Sequence, residues 1–154
     1  MNRVHHIVYL LLLGVLILFG SCDKTPVNGD LDGMWQLMTI KIQPDSVLQV
    51  KEKHVYLCIQ LQLSEWRAFT NPGKNYYAHF KHQGDSLFFS DLCHASTHTA
   101  SASDDRPVTA SEMAAGAMTE WGIHTLHTRY RVLQLNANHL TLEKADTVYA
   151  FRKF

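Results

Sequence analysis

Ten histidines and three cysteines are the residues of this 154-residue chain best suited to hold a metal or activate a nucleophile. Their spacing favours neither role. His79 and His82 lie three apart in a stretch that alternates like a strand, so they face opposite sides and cannot chelate together. Cys93, His94 and His98 are ligand types that zinc accepts, with Asp91 and Asp104 close in sequence. They fall in or beside a small, polar, non-periodic stretch at 94–110 that fixes no geometry. His124 and His127 share a face only if a helix runs past Gly122. Solvated loop and surface histidines account for the pattern. The expectation is no metal site and no cofactor.

Catalytic groupings are weaker still. Ser101 and Ser103 lie among His98 and Asp104, but crowding along the chain is not a triad, which is defined by geometry. Asp104-Asp105 reads as a solvated carboxylate pair. The tetrapeptide GDSL at Gly84–Leu87 puts its serine at a hairpin tip, whereas the hydrolases that open with those letters need it between a strand and a helix of an α/β fold. The chain has no glycine-rich phosphate loop and no zinc-finger spacing, so an enzyme is not expected.

Cys22 has the best-defined chemistry. Arg3 precedes an almost unbroken aliphatic run from Ile7 to Phe19, and Gly20-Ser21-Cys22 follows. The run is short for a membrane-spanning helix, which needs ~20 residues, and fits the core of a secretory signal of about 7–15 residues. The ending resembles a bacterial lipobox, with Phe19 where an aliphatic residue is usual. This implies a signal peptide at 1–21, acyl groups on Cys22, and a polar tether at 22–30, since DKTPVNGD carries too little apolar surface to fold. Several acyl chains on one cysteine give stable anchoring where a single chain does not. The expected location is the cell envelope, on a bacterial membrane, the outer favoured over the inner, with the leaflet left open.

Residues 31–154 are the size of one domain. Arg3 is the only charged residue of the leader, so 13 of the 14 basic residues face 14 acidic ones in the mature chain. That balance lacks the basic face a nucleic-acid binder needs. Cys58 and Cys93 either pair in an oxidising compartment or remain thiols, and pairing needs Cα atoms within ~7 Å.

The elements that must position these residues alternate with period two, broken at short intervals by turn signals. Strands are predicted at Gly33–Ile42, a short piece at Val47–Lys51, a long strand at His54–Phe69 bent or broken near Ser64, and Thr128–Leu135, His139–Lys144 and Thr147–Phe154. Gly84-Asp85 makes a two-residue hairpin that sets His82 opposite Leu87, Phe80 opposite Phe89 and Ala78 opposite Asp91. Ala145-Asp146 sets Leu142 opposite Tyr149 and Leu140 opposite Phe151. An even loop near Asn136 brings Leu133 and Leu135 to that same face. Between the two groups, Thr109-x-x-Glu112 predicts a capping box. It opens a helix to about Trp121, with Met113, Ala117 and Trp121 on one stripe and Gly122 as its stop. About eight antiparallel strands and one helix make an all-β fold that can close as an up-and-down barrel.

On this layout, Leu31–Leu37, LDGMWQL, resembles the Gly-x-Trp opening of lipocalins, with Gly33 and Trp35 in place. The whole chain after the leader is similar to small bacterial lipocalin-like lipoproteins of uncharacterised function, which share the lipobox, a GDSL hairpin, a helix and a terminal FRK strand. The resemblance implies an eight-stranded barrel whose tryptophan plugs the closed end under a basic residue from late in the chain. Arg152 is the candidate, through a cation–π contact. The helix departs from the lipocalin layout, because it precedes the last three strands.

Such a barrel is either filled by side chains or just wide enough for one small ligand. Trp35, Trp66, Trp121, Tyr76, Tyr77, Phe80 and Phe88 could line a cavity, Trp35 and Phe80 fitting core better; Trp66, Tyr76, Tyr77 and Phe88 are the candidates for a ligand site, with Trp66 placed where the longest strand bends toward a rim. Ordinary core packing is the competing account. Two functions follow: a membrane-anchored module binding a small apolar or amphipathic ligand in the barrel mouth, or a non-catalytic lipoprotein with a filled barrel that docks another envelope protein.

Overall fold

The computed structural model describes residues 26–69, 75–95 and 106–154. Cys22 and the leader lie outside these, as do His98, Ser101, Ser103, Asp104 and Asp105. Nine strands are found among the described residues: β1 (Gly33–Ile42), β2 (Ser46–Gln49), β3 (Val55–Gln60), β4 (Leu63–Ala68), β5 (Asn75–Gln83), β6 (Ser86–His94), β7 (Thr128–Leu135), β8 (His139–Lys144) and β9 (Thr147–Lys153). β9 returns antiparallel to β1, from Trp35↔Lys153 to Ile42↔Thr147. Eight strands, β1 and β3 to β9, therefore close the expected barrel. β2 is one strand more: it pairs with Thr39–Ile42 of β1, beyond the point where β3 has left that strand.

The hairpin registers follow their turn residues. His82↔Leu87 and Phe80↔Phe89 flank Gly84-Asp85, and Leu142↔Tyr149 and Leu140↔Phe151 flank Ala145-Asp146, as expected. Leu135↔Leu140 confirms the even loop. Three bulges change the rest. An extra residue at Asp91, with φ at 53°, breaks the expected Ala78–Asp91 pairing and turns Leu92 inward. An extra residue at Leu133 leaves that side chain exposed, so Val132 stands opposite Leu142 in its place. Met38 is the extra residue of β1 against β9. A bulge places two residues against one and so reverses the inward and outward faces beyond it.

The long strand expected at His54–Phe69 is two strands. Leu61 and Gln62 form a two-residue turn between Gln60 and Leu63, with Leu61 at φ 57°. Leu57 and Ile59 stay inside, while Leu61 and Leu63 are exposed. The helix is also shorter than expected. Thr109 and Glu112 form the capping box of α1 (Ala110–Ala114), and Gly116, at φ 85°, breaks it. A 3-10 turn at Thr119–Trp121 follows and ends at Gly122 in the left-handed region. Met113 and Trp121 are buried without sharing one helix.

Cys58 and Cys93 are not joined in a disulfide. They lie on β3 and β6 with β4 and β5 between them, and strands spaced about 4.8 Å apart keep their Cα atoms too far apart for a bond. The barrel closes on itself, and its described core runs from Leu31 to Phe151. Residues 26–154 thus carry both the closed sheet and the two segments that cap its ends.

Candidate ligand-binding site

One end of the barrel is built around Trp35. The 3-10 turn Gly29–Leu31 bridges the β3–β4 turn and the end of β9: the Asn28 side-chain amide donates to the Leu61 carbonyl, and Lys153 Nζ donates to the Asp30 carbonyl at 2.8 Å. The buried Trp35 indole donates to the Leu31 carbonyl at 2.8 Å. Contacts with the barrel thus reach back to Asn28, inside the segment read as tether. The cation over the Trp35 ring is Lys153, with Nζ 4.9 Å from the centroid. Arg152, the expected partner, is exposed and stands opposite Gln36. Alternation explains the correction: Tyr149, Phe151 and Lys153 share the inward face of β9 and Arg152 does not. Gly33 belongs to the same unit. Its φ is 128°, and a Cβ there would lie 2.8 Å from Lys153 Cε, so only glycine lets the lysine stem lie down toward the indole.

The opposite end is filled by a segment that, among the described residues, pairs with the sheet only at its start. The chain leaving β6 returns through a bridge between Cys93 and Pro107. It then drops Val108, Met113, Met118, Trp121 and Ile123 into the core. Strand side chains tie it down. The Tyr76 hydroxyl donates to the Ala117 carbonyl at 3.3 Å, the Tyr130 hydroxyl to the Trp121 carbonyl at 2.6 Å, and Lys144 Nζ to the Gly122 carbonyl at 3.0 Å. Gly122 is held by more than its φ of 70°: a Cβ there would lie 1.8 Å from the Tyr149 hydroxyl. Outside this plug, an open groove of about 440 Å³ runs between α1 and residues 124–127.

Below the plug lies a column of edge-to-face rings. It passes from Tyr76 to Trp121, Trp66, Phe89, Tyr130 and Tyr149, with successive centroids 5.2–6.2 Å apart. Such pairs contribute about 0.5–1.5 kcal/mol each beyond their buried area. Burial pushes the Tyr76 and Tyr149 hydroxyls up and that of Tyr130 far up, and it pulls the Lys144 ammonium down. The indole N–H groups of Trp66 and Trp121 are buried and have no acceptor among the described residues.

Two of the four sequence candidates meet in this site. Trp66 and Tyr76 lie inside, opposite each other across β4 and β5. Trp66 is mid-strand and fully buried, not at a bend on the rim, because the chain turns at Leu61-Gln62 instead. Tyr77 and Phe88 do not line the interior. Tyr77 follows Tyr76 and faces outward, half-buried. Phe88 sits between two inward residues, is 38% exposed, and lies under the Arg129 guanidinium at 5.6 Å. Trp121 joins Trp66 and Tyr76, and Tyr130, Tyr149 and Lys144 complete the site without having been singled out for it. Two of these three were legible: Tyr149 is register partner to the inward Leu142, and Lys144 shares the parity of Leu140 and Leu142. Tyr130 was not, because parity with Leu133 and Leu135 puts it outside and only the bulge at Leu133 turns it in.

The histidines find local partners. His79 meets the Asp91 carboxylate and His94 the Glu112 carboxylate, each at 3.1 Å. No three metal-ligating side chains cluster among the described residues.

This architecture is a known one. Residues 16–154 match the family model of the lipocalin-like domain. The chain belongs to that family. Two solved structures share the fold. A lipocalin-like protein from Bacteroides uniformis ATCC 8492 superposes with a TM-score of 0.61 at 19% identity, covering 82% of this chain and all of that one. An uncharacterized protein from Bacteroides eggerthii DSM 20697 gives 0.56 at 19% identity, covering 80% of this chain and 98% of that one. No curated protein matches the sequence.

Proposed function

We propose that this lipocalin-like chain is a non-catalytic lipoprotein, anchored through acylated Cys22 to a membrane of the cell envelope, that binds one small apolar or amphipathic ligand in the mouth of its barrel. The observation that carries the reading is the construction of the two ends. Trp35 closes one end from within a strand. The other is closed by residues 107–123, held to the walls by the Tyr76, Tyr130 and Lys144 hydrogen bonds and backed by an open groove. A segment attached in this way can leave without breaking the barrel, and its departure opens an aromatic-walled site. Titration with an apolar fluorescent dye tests this: Trp66 emission should change and saturate at one dye per chain, and Trp66→Ala should weaken the site. For the anchor, Cys22→Ser should leave an unlipidated and poorly processed precursor. Cleavage at the same bond with unchanged detergent partitioning would refute it.

A second reading has its own support. The ring column already fills the described interior, and Val27, Leu61 and Leu63 expose apolar surface at the Trp35 end. These fit a filled barrel that docks another envelope protein. Absence of saturable binding, with the dye excluded too, would favour it.

A further inference from the structure

We infer that the barrel mouth selects apolar carboxylates, whose head group takes the place of the plug's main-chain carbonyls on Lys144 and Tyr130. The inference rests on the ligand-binding reading above and adds the chemistry of the head.

The side-chain hydrogen bonds from wall to plug run one way. The donors come from three strands: Tyr76 on β5, Tyr130 on β7 and Lys144 on β8. Their acceptors on the plug are the carbonyls of Ala117, Trp121 and Gly122, and Lys144 alone has a wall acceptor as well, the Thr128 hydroxyl. A further wall donor, the Trp66 indole, has no acceptor among the described residues. The buried polar side chains of the barrel are Gln36, Ser64, Ser86 and Thr128, with no carboxylate among them. Glu112 and Glu120, the carboxylates that act on Tyr76, belong to the plug and leave with it.

Lifting the plug would therefore leave a buried phenol without an acceptor, and a half-buried ammonium with only the neutral Thr128 hydroxyl, in an apolar mouth. Buried donors need partners, and a buried cation needs one most. The carbonyls of Trp121 and Gly122 are consecutive on the chain, and they engage Tyr130 and Lys144, whose ammonium lies 5.7 Å from the Tyr130 ring centroid. A carboxylate presents two oxygens to the same two donors and adds the charge that peptide carbonyls lack. Its hydrocarbon tail would take the volume that Trp121 and Met118 vacate. An apolar cation or a plain hydrocarbon would leave the phenol unpaired and the ammonium without a counter-charge. The lowered basicity of Lys144 fits a cation held short of a counter-charge.

The test uses the chain from Pro26 to Phe154, titrated with dodecanoate and with dodecanol, which share a tail and differ in the head. Dodecanoate should bind at least about tenfold more tightly, the effect of hydrogen bonds to a charged group. Lys144→Met should bring the ratio of the two affinities to about one, whatever loosening the plug does to both, because the ratio reads the head group alone. Tyr130→Phe, which removes one hydroxyl, should reduce the preference if Lys144→Met does not fold. Gly122→Ala, which drives a methyl into Tyr149, should loosen the plug and tighten both ligands. Equal binding of the two heads would overturn the carboxylate inference and leave the binding module standing. No binding of either, to the parent chain or to Gly122→Ala, would overturn both.

Discussion

Each end of this barrel is sealed around a tryptophan, but the two seals differ in kind. Trp35 is a residue of β1. Its ring is fixed by the strand, its N–H by the Leu31 carbonyl, and its face by Lys153 from the neighbouring strand. Trp121 belongs to a short 3-10 turn. Its N–H has no acceptor among the described residues, and the segment carrying it is held by three strand side chains that reach its carbonyls. The first seal is continuous with the sheet and can fail only with it. The second is held by side chains and not by the ladder, and on the binding reading it opens while the ladder stays intact. Burial alone does not separate the two residues, since both are almost fully buried. What separates them is whether the groups around the ring belong to the closed sheet.

The largest expected effect tests that difference directly. Trp35→Ala should cost about 3–5 kcal/mol in urea unfolding, the range for emptying a large aromatic from a core. Trp121→Ala should cost about half as much, because the plug can collapse or leave in place of holding a cavity. Equal losses would make the two seals equivalent and remove the basis for a movable plug. Gly122→Ala should come next, at about 2 kcal/mol, from the left-handed φ and the clash with Tyr149. Its signature is local: hydrogen exchange at 112–123 should accelerate while amides of β1 and β9 keep their protection. Smaller again is Lys153→Met, at about 0.5–1 kcal/mol for a partly exposed cation–π contact. A double-mutant cycle with Trp35→Ala should show non-additivity. The same cycle with Arg152→Ala should be additive, and coupling there would restore arginine as the partner.

The two seals also differ in how far the sequence disclosed them. Gly33 and Trp35 mark the strand end plainly, and the pairing of Leu140 with Phe151 already puts Lys153, not Arg152, on the inward face. The misassignment came from matching a terminal motif, where parity would have decided it. The hairpins at Gly84-Asp85 and Ala145-Asp146 were legible because turn chemistry and side-chain facing agree there. The turn at Leu61-Gln62 was not, since neither residue is a turn former and the apolar alternation runs straight through it. Bulges at Met38, Asp91 and Leu133 were also invisible, because each is set by closure of the barrel and not by local preference. The plug was half legible. Its capping box and its stop at Gly122 can be read directly, but an Ala- and Met-rich helix pattern does not reveal that Trp121 points into a barrel formed by distant strands.

The smallest effect concerns the latch that starts the plug. Glu112 accepts from Arg106, from the Thr109 backbone and from the Thr109 hydroxyl, with His94 Nε2 also 3.1 Å away. These donors hold its carboxyl well below the usual carboxylate range, the Arg106 bond first among them. A carboxyl with a lowered folded value stabilises the fold fully above its unfolded value of about 4.3 and loses that contribution as pH falls below it. The comparison is between the parent chain and Glu112→Gln, followed by hydrogen exchange at 110–114 and 119–123. The parent should be better protected, by a margin that stays constant from neutral pH down to about pH 5 and narrows below it. Protection of β1 at Trp35 should be the same in both chains throughout, because no part of that seal depends on Glu112. A margin independent of pH would mean that the glutamine caps Thr109 as well as the carboxylate does, and that charge takes no part in holding the plug. A loss of protection at Trp35 along with the plug would show that the two ends open as one unit.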